Sequence, residues 1–298
     1  MRAPPLRWGM QQQQQLGLVC LTSPTCATRI SYRTLRKASV TPHALASVYR
    51  DNAHTLRAAV VYCKAVLRTR LYRMPSALLP WLDSDDPTIV EAAETAFKQA
   101  LPHLRGVLVG LDDMRITSHP DQFCVLSSDR PDVVASGVRM LIAEARVMDA
   151  LGLPRSPWAG INIHGGKAGR LTQLRAAVDA LPDAVRSRLT LENDERAYTV
   201  PDLCTVGVPV VFDAHHQTVR GGWAPNDARL YEHAAAARRT WRDEASALAH
   251  LSNGIEGPHD RRHSDLISYV HPSLSGFGWV DVEAKGKERA ILALQGRA

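Results

Sequence analysis

From residue 16 onward, short apolar runs alternate with longer stretches whose apolar residues recur at helical spacing. The first run is Leu16–Cys20, and a helical pattern extends from His43 to Leu67, with Leu45, Val48, Leu56, Ala59 and Val60 on one face. Arg70–Met74 reads as a second strand. Asp86-Pro87 opens a helix that ends at Leu104, before Gly106. Met114–Ser118 is a third strand, and Pro131–Ala150 a helix stopped by Gly152. Ala159–Ile163, Leu189–Leu191 and Val208–Phe212 supply the next three strands, with helices at Leu171–Leu181 and Thr199–Thr205 between them. A helix at Asp227–Arg238, a strand within Ala245–Leu251, a helix at Ser264–Val270, a strand at Trp279–Val282 and a helix at Lys287–Leu294 complete the pattern.

Eight strand–helix units succeed one another without a Gly-, Pro- or Ser-rich linker. Regular alternation predicts parallel strands with right-handed crossovers. Eight units within 298 residues predict an α/β fold of the TIM (β/α)8 type, with any site at the carboxyl ends of the strands. An open doubly wound sheet is the alternative, but neither GxGxxG nor GxxxxGK[ST] occurs to support it. Residues 1–15, which include the Gln11–Gln15 run, are expected to be a disordered tail, and residues 16–298 a single domain.

Composition changes this picture only at the margins. Hydrophobic residues make up 45% and charged residues 22% of the chain, which suits a folded domain with a large core. The net charge of +6 favours an acidic partner, nucleic acid first. The five cysteines, Cys20, Cys26, Cys63, Cys124 and Cys204, contain no CxxC pair, which argues against a disulfide scaffold or a thiolate zinc site. No apolar run has the length of a membrane span, and the N-terminus lacks a hydrophobic signal region. The expectation is a cytoplasmic protein with reduced thiols, no membrane association and no obligate protein partner.

The candidate chemistry is concentrated directly after the apolar runs. His119 ends the third strand, His164 the fourth, Glu192 the fifth and Asp213 the sixth, with His215 and His216 just after it. His250 lies in the seventh strand, His263 in the loop beyond it, and Glu283 ends the eighth. Taken singly, each has an ordinary role: a hydrogen-bonded histidine, a surface charge, or a helix cap at Asp213. Taken together, they converge on one rim, where the three carboxylates need a compensating cation to stay ionised side by side. Imidazole with carboxylate suits Mn, Zn or Fe better than Mg alone. His43, His54, His103, His233, His259 and His271 have no such placement and read as structural or exposed.

Six segments in order, Leu16-Gly17-Leu18-Val19-Cys20, His119-Pro120-Asp121-Gln122-Phe123, His164-Gly165-Gly166, Leu191-Glu192-Asn193-Asp194-Glu195, Asp213-Ala214-His215-His216 and Glu283-Ala284-Lys285-Gly286-Lys287-Glu288, resemble the UV-damage endonuclease family. The resemblance implies a TIM barrel with up to three divalent metal ions, commonly Mn2+, with Mg2+, Co2+ or Zn2+ as alternatives. It implies a nick in double-stranded DNA immediately 5′ to a cyclobutane pyrimidine dimer or 6-4 photoproduct, leaving a 3′-hydroxyl and a 5′-phosphate. Carried over by motif, the metal ligands are His119, His164, Glu192, Asp213, His216, His250, His263 and Glu283, with His215 orienting the loop. Gln122 and Phe123 match the pair that looks like the family's lesion probe. This chain departs at Ala77 and Leu248, where some members carry a ligand His and a Lys that can be carboxylated. It also departs at Leu18, where a Tyr often stands; a lesion or phosphate contact made by that hydroxyl would be missing here.

In physical terms, metal ions lower the pKa of a bound water and neutralise charge developing on a phosphodiester. Glu192, Asp213 and Glu283 are expected to hold the ions; Lys285 and Lys287, just after the last of them, are either phosphate contacts or ordinary surface charges. A photoproduct stacks poorly and is cheap to extrude, so Phe123 is expected to fill the gap while Gln122 meets the orphaned bases. The rival readings are an abasic-site endonuclease on the same barrel, a metal-dependent sugar isomerase or epimerase, and an inert DNA-binding barrel.

Overall fold

The structure is a computed structural model that describes residues 14–76, 78–120 and 124–297. Eight parallel strands close on one another in sequence order, β1 pairing with β2 on one side and with β8 on the other. They are β1 (Gln15–Val19), β2 (Leu71–Pro75), β3 (Arg115–His119), β4 (Ile161–His164), β5 (Leu189–Glu192), β6 (Val210–Asp213), β7 (Leu248–Leu251) and β8 (Trp279–Val282). Around them run α1 (Pro42–Ala65), α2 (Pro87–Gly106), α3 (Pro131–Ala150), α4 (Leu171–Asp179), α5 (Asp183–Arg186), α6 (Val200–Leu203), α7 (Ala214–Gly221), α8 (Ala228–Arg239) and α9 (Glu288–Leu294). This is the TIM barrel that the alternation predicts. The long helices start where the sequence punctuates: Thr41 caps α1 and Asp86 caps α2, each followed by proline in the first turn.

Strand residues alternate between the helix layer and the lumen. The outward set, including Leu18, Tyr72, Ile116, Ile163, Leu191 and Phe212, is buried against the helices and forms the main core. The lumen is unusually polar. At the amino ends of the strands it is closed by Arg115, which is fully buried. Its Nε donates to Trp158 O (2.9 Å) and its Nη1 to Ser246 O (2.8 Å), while the guanidinium lies 4.8 Å from the Trp158 ring and 5.2 Å from the Trp279 ring. Burial pushes its pKa down to about 9.

Several boundaries differ from those the sequence predicts. Gln14 and Gln15, expected in the tail, are placed: Gln14 Nε2 donates to Leu274 O (2.8 Å) and Phe277 O (2.7 Å), and Gln15 begins β1. No helix forms at Ser264–Val270. Asn253 Oδ1 accepts there from Ser268 N (2.8 Å) and Tyr269 N (3.1 Å), so backbone donors are satisfied on the strand exit instead of within a helical turn. Conversely α7 starts directly after β6 because Asp213 caps it. Residues 245–247 are not strand, since Asp243 caps a 3-10 turn at Glu244–Ser246. All five cysteines are free, and no helix among the described residues is long and apolar enough to cross a membrane.

Candidate metal centre

The carboxyl ends of β3 to β8 bring the strand-end residues together. His119 Nε2 lies 3.1 Å from Glu192 Oε2, and Asn162 Nδ2 donates to the same oxygen at 2.5 Å. Thr190 Oγ1 in turn donates to Asn162 Oδ1 (3.0 Å), which fixes the amide's orientation. Asn193 clasps the neighbouring strand, donating to Asp213 O (2.8 Å) and accepting from Asp213 N (3.0 Å). Asp213 Oδ1 accepts from His216 N (2.6 Å), so one oxygen caps α7 and the other is left free to face the site. The helix cap that sequence offered as an ordinary role for Asp213 therefore coexists with a free oxygen that faces the candidate site. Glycine is required beside His164: a Cβ on Gly165 would lie 2.3 Å from the Tyr198 ring, and Gly166 has φ +84°.

Three groups of donors result: His119, His164 and Glu192; Glu192, Asp213 and His216; Asp213, His250 and Glu283. Within each, the donor atoms lie within 4.8 Å of one another. Glu192 belongs to the first and second groups and Asp213 to the second and third, so the groups form a chain with shared carboxylates. Several of these atoms are buried without a hydrogen-bond partner: His164 Nδ1, Asp213 Oδ2 and His250 Nδ1. His250 Nδ1 has Glu192 Oε1 at 3.1 Å and Glu283 Oε1 at 3.2 Å, yet is aligned for a hydrogen bond with neither. Orphaned nitrogen and oxygen donors packed this closely fit divalent cations of the kind bound by imidazole and carboxylate.

The electrostatics show the same need for positive charge. Burial opposes ionisation of Glu192, but His250, His164 and His119 outweigh it and hold the carboxyl well below its usual range. Burial likewise opposes a charge on His216 and His250. Asp213 and Glu195 nonetheless push His216 up to about 10, and Glu192 and Glu283 push His250 up to about 9. His164, with burial dominant, is pushed down.

A family profile described as UV-endonuclease UvdE matches residues 14–297. The UV DNA damage endonuclease of Deinococcus radiodurans is 44% identical, with 94% of this chain and 94% of that protein covered. The chain belongs to the UV-endonuclease UvdE family. A second member, the UV DNA damage endonuclease of a Nostoc species, is 37% identical over 95% of this chain and 90% of its own length. The crystal structure of SacUVDE shares the fold, with a TM-score of 0.78 at 21% identity, covering 95% of this chain and 98% of that one.

Of the residues matched to the family from sequence, His119, His164, Glu192, Asp213, His216, His250 and Glu283 enter the three groups. His263 lies at their edge, its Nδ1 3.8 Å from Glu283 Oε2 and its ring 6.1 Å from that of His216. His215 turns away, with Nε2 2.9 Å from Asp260 O, which fits its expected role in holding a loop. Lys285 is exposed on the turn after β8 and Lys287 is half-buried beside it. Gln122, Phe123 and Ala77 fall outside the described residues. Gly17 faces the lumen, so Leu18 faces the helix layer and is fully buried.

Four residues with polar roles at the centre were not singled out from sequence. Arg73, on β2, forms a close ion pair with Glu283. Glu195 lies 2.9 Å from His216 Nδ1 and accepts from Arg261 Nε (2.6 Å). Asn162 and Asp281 are buried in β4 and β8. The signal was available for Asp281, a carboxylate two residues before Glu283 in an otherwise apolar strand and thus on the same face.

Proposed function

We propose that this chain hydrolyses the DNA phosphodiester immediately 5′ to UV photoproducts, both cyclobutane pyrimidine dimers and 6-4 photoproducts, with divalent cations, Mn2+ first among them. The observation that carries the reading is the chain of three donor groups joined through Glu192 and Asp213 on one rim. Membership of the UV-endonuclease family supports DNA as the substrate.

Bound cations would supply an activated water and charge neutralisation at phosphorus. The chain's own residues do the rest. Glu192, Asp213 and Glu283 hold the cations, and His119, His164, His216 and His250 complete the donor set, with His263 at its outer edge. Asn162 and Asn193 fix Glu192 and Asp213 so that the donors do not reorganise during the reaction. Lys285, exposed beside Glu283, meets the DNA backbone. Gln122 and Phe123 probe the lesion.

The test is nicking of UV-irradiated plasmid and of end-labelled duplexes carrying a single dimer, with Mn2+ or with EDTA. The reading expects a single nick 5′ to the dimer, with a 3′-hydroxyl and a 5′-phosphate, abolished by EDTA. Absence of nicking with every divalent metal would refute it. Cleavage of an abasic duplex in preference to the dimer would assign the other lesion class.

A further inference from the structure

Beneath the metal centre, in the lumen, lies a carboxylate with no hydrogen-bond partner. Asp281 is fully buried, and neither of its oxygens makes a hydrogen bond. Two basic groups face it, His250 Nε2 at 3.8 Å from Oδ2 and Arg73 Nη1 at 3.9 Å from Oδ2. The fold keeps a place for it: a Cβ on Gly17 of β1 would lie 2.1 Å from Asp281 Oδ1. A buried carboxylate without hydrogen bonds is costly, and such groups are rare unless something uses them.

The use is set by His250. Its Nδ1 faces Glu192 and Glu283, so Nδ1 is the atom turned toward the metal centre. Its Nε2 faces the lumen, where Arg73 Nη1 stands 3.5 Å away. A guanidinium is only a donor, so a neutral His250 ring facing it would accept at Nε2 and carry its proton on Nδ1, while a charged ring would carry a proton on both nitrogens. A cation on Nδ1 requires the other tautomer, with the proton on Nε2. That proton needs an acceptor, which Arg73 cannot be. Another histidine of the centre already has one on its far side: His119 Nδ1 lies 3.0 Å from Pro120 O.

We propose that Asp281 is the positioning residue for His250, accepting the Nε2 proton and so fixing the tautomer in which Nδ1 is free to bind a cation. The inference rests on the proposed metal centre. Arg73 stays bound to Glu283 throughout, and Asp281 moves roughly 1 Å closer to Nε2, from 3.8 Å to hydrogen-bond distance. Ligand histidines are held in this way by carboxylates in many metal sites.

The test compares wild type with Asp281→Asn in two measurements. Mn2+ affinity by calorimetry is expected to fall about 10- to 100-fold in the variant. The melting temperature of the EDTA-treated protein is expected to stay level or rise, because the variant removes a buried charge that makes no hydrogen bond. Equal affinity in variant and wild type would overturn the inference and leave the metal centre standing. So would a lost affinity accompanied by an equal loss of metal-free stability, which is the signature of a packing role. A wild type that binds no divalent cation would overturn the proposed function and this inference with it. Should the variant fail to fold, 15N-histidine spectra of the Zn2+-loaded wild type decide the matter: His250 protonated at Nε2 supports the proposal, and protonation at Nδ1 refutes it.

Discussion

Glu144 of α3 offers a quantitative test of how the helix layer supports the centre. It is buried, and Ser118 Oγ, next to His119 at the end of β3, donates to its Oε2 at 2.6 Å. Burial pushes its pKa from 4.5 up to about 8, with the Ser118 hydrogen bond opposing. Between these values the native protein holds a proton that the unfolded chain has lost, so the contribution to stability is full below about 4.5 and is lost as pH rises through about 8. At about 1.4 kcal/mol per pH unit, the interval corresponds to about 5 kcal/mol, an upper value for a side chain that local relaxation can hydrate. Glu144→Gln keeps an acceptor for Ser118 and cannot ionise. Urea unfolding of EDTA-treated wild type and variant at intervals from pH 5 to pH 9 should show the variant gaining on wild type as pH rises, by several kcal/mol in all. The comparison cancels the titration of groups common to both proteins. A stability difference that does not vary with pH would refute the reasoning.

Other consequences stem from single contacts. Glu192→Gln removes the carboxylate shared by two donor groups; bound metal measured by plasma mass spectrometry should drop by more than one ion, and nicking by about 10³-fold or more, with the circular dichroism spectrum unchanged. Gly17→Ala places a methyl group against Asp281 and Leu71 and should cost about 1–3 kcal/mol in urea unfolding, partly recovered in the double variant with Asp281→Ala. Arg115→Met strands the carbonyls of Trp158 and Ser246 and should cost about 3 kcal/mol without changing Mn2+ affinity, because the plug lies at the opposite end of the lumen from the ligands.

The alternation of apolar runs and helical patterns was enough to specify the barrel, because each unit carries its own period and its own stops. Pro87 with Asp86 and Pro131 mark helix starts, and Gly152 marks an end, by local backbone chemistry alone. The candidate ligands were legible for a related reason. A parallel barrel gathers all strand ends on one rim, so a polar residue directly after each apolar run had only one place to go. The helix expected at Ser264–Val270 failed because its competitor is not local: the acceptor that takes its backbone donors is Asn253, on the far side of an intervening loop.

Local chemistry along the chain thus accounts for the order of elements, the rim on which the chemistry lies and seven of the residues that meet there. Which of them share a cation position is a matter of strand packing. Glu192 and Asp213 acquire their double membership from the pairing of β4 with β5 and of β6 with β7. The lumen, too, exists only in the closed barrel. Arg73, Asp281 and Gly17 lie on three strands far apart in the chain, and no local rule pairs a glycine at 17 with a carboxylate at 281. Closure of β1 onto β8 brings them together, and burial then turns ordinary charged residues into groups whose partners must be found within a few ångströms.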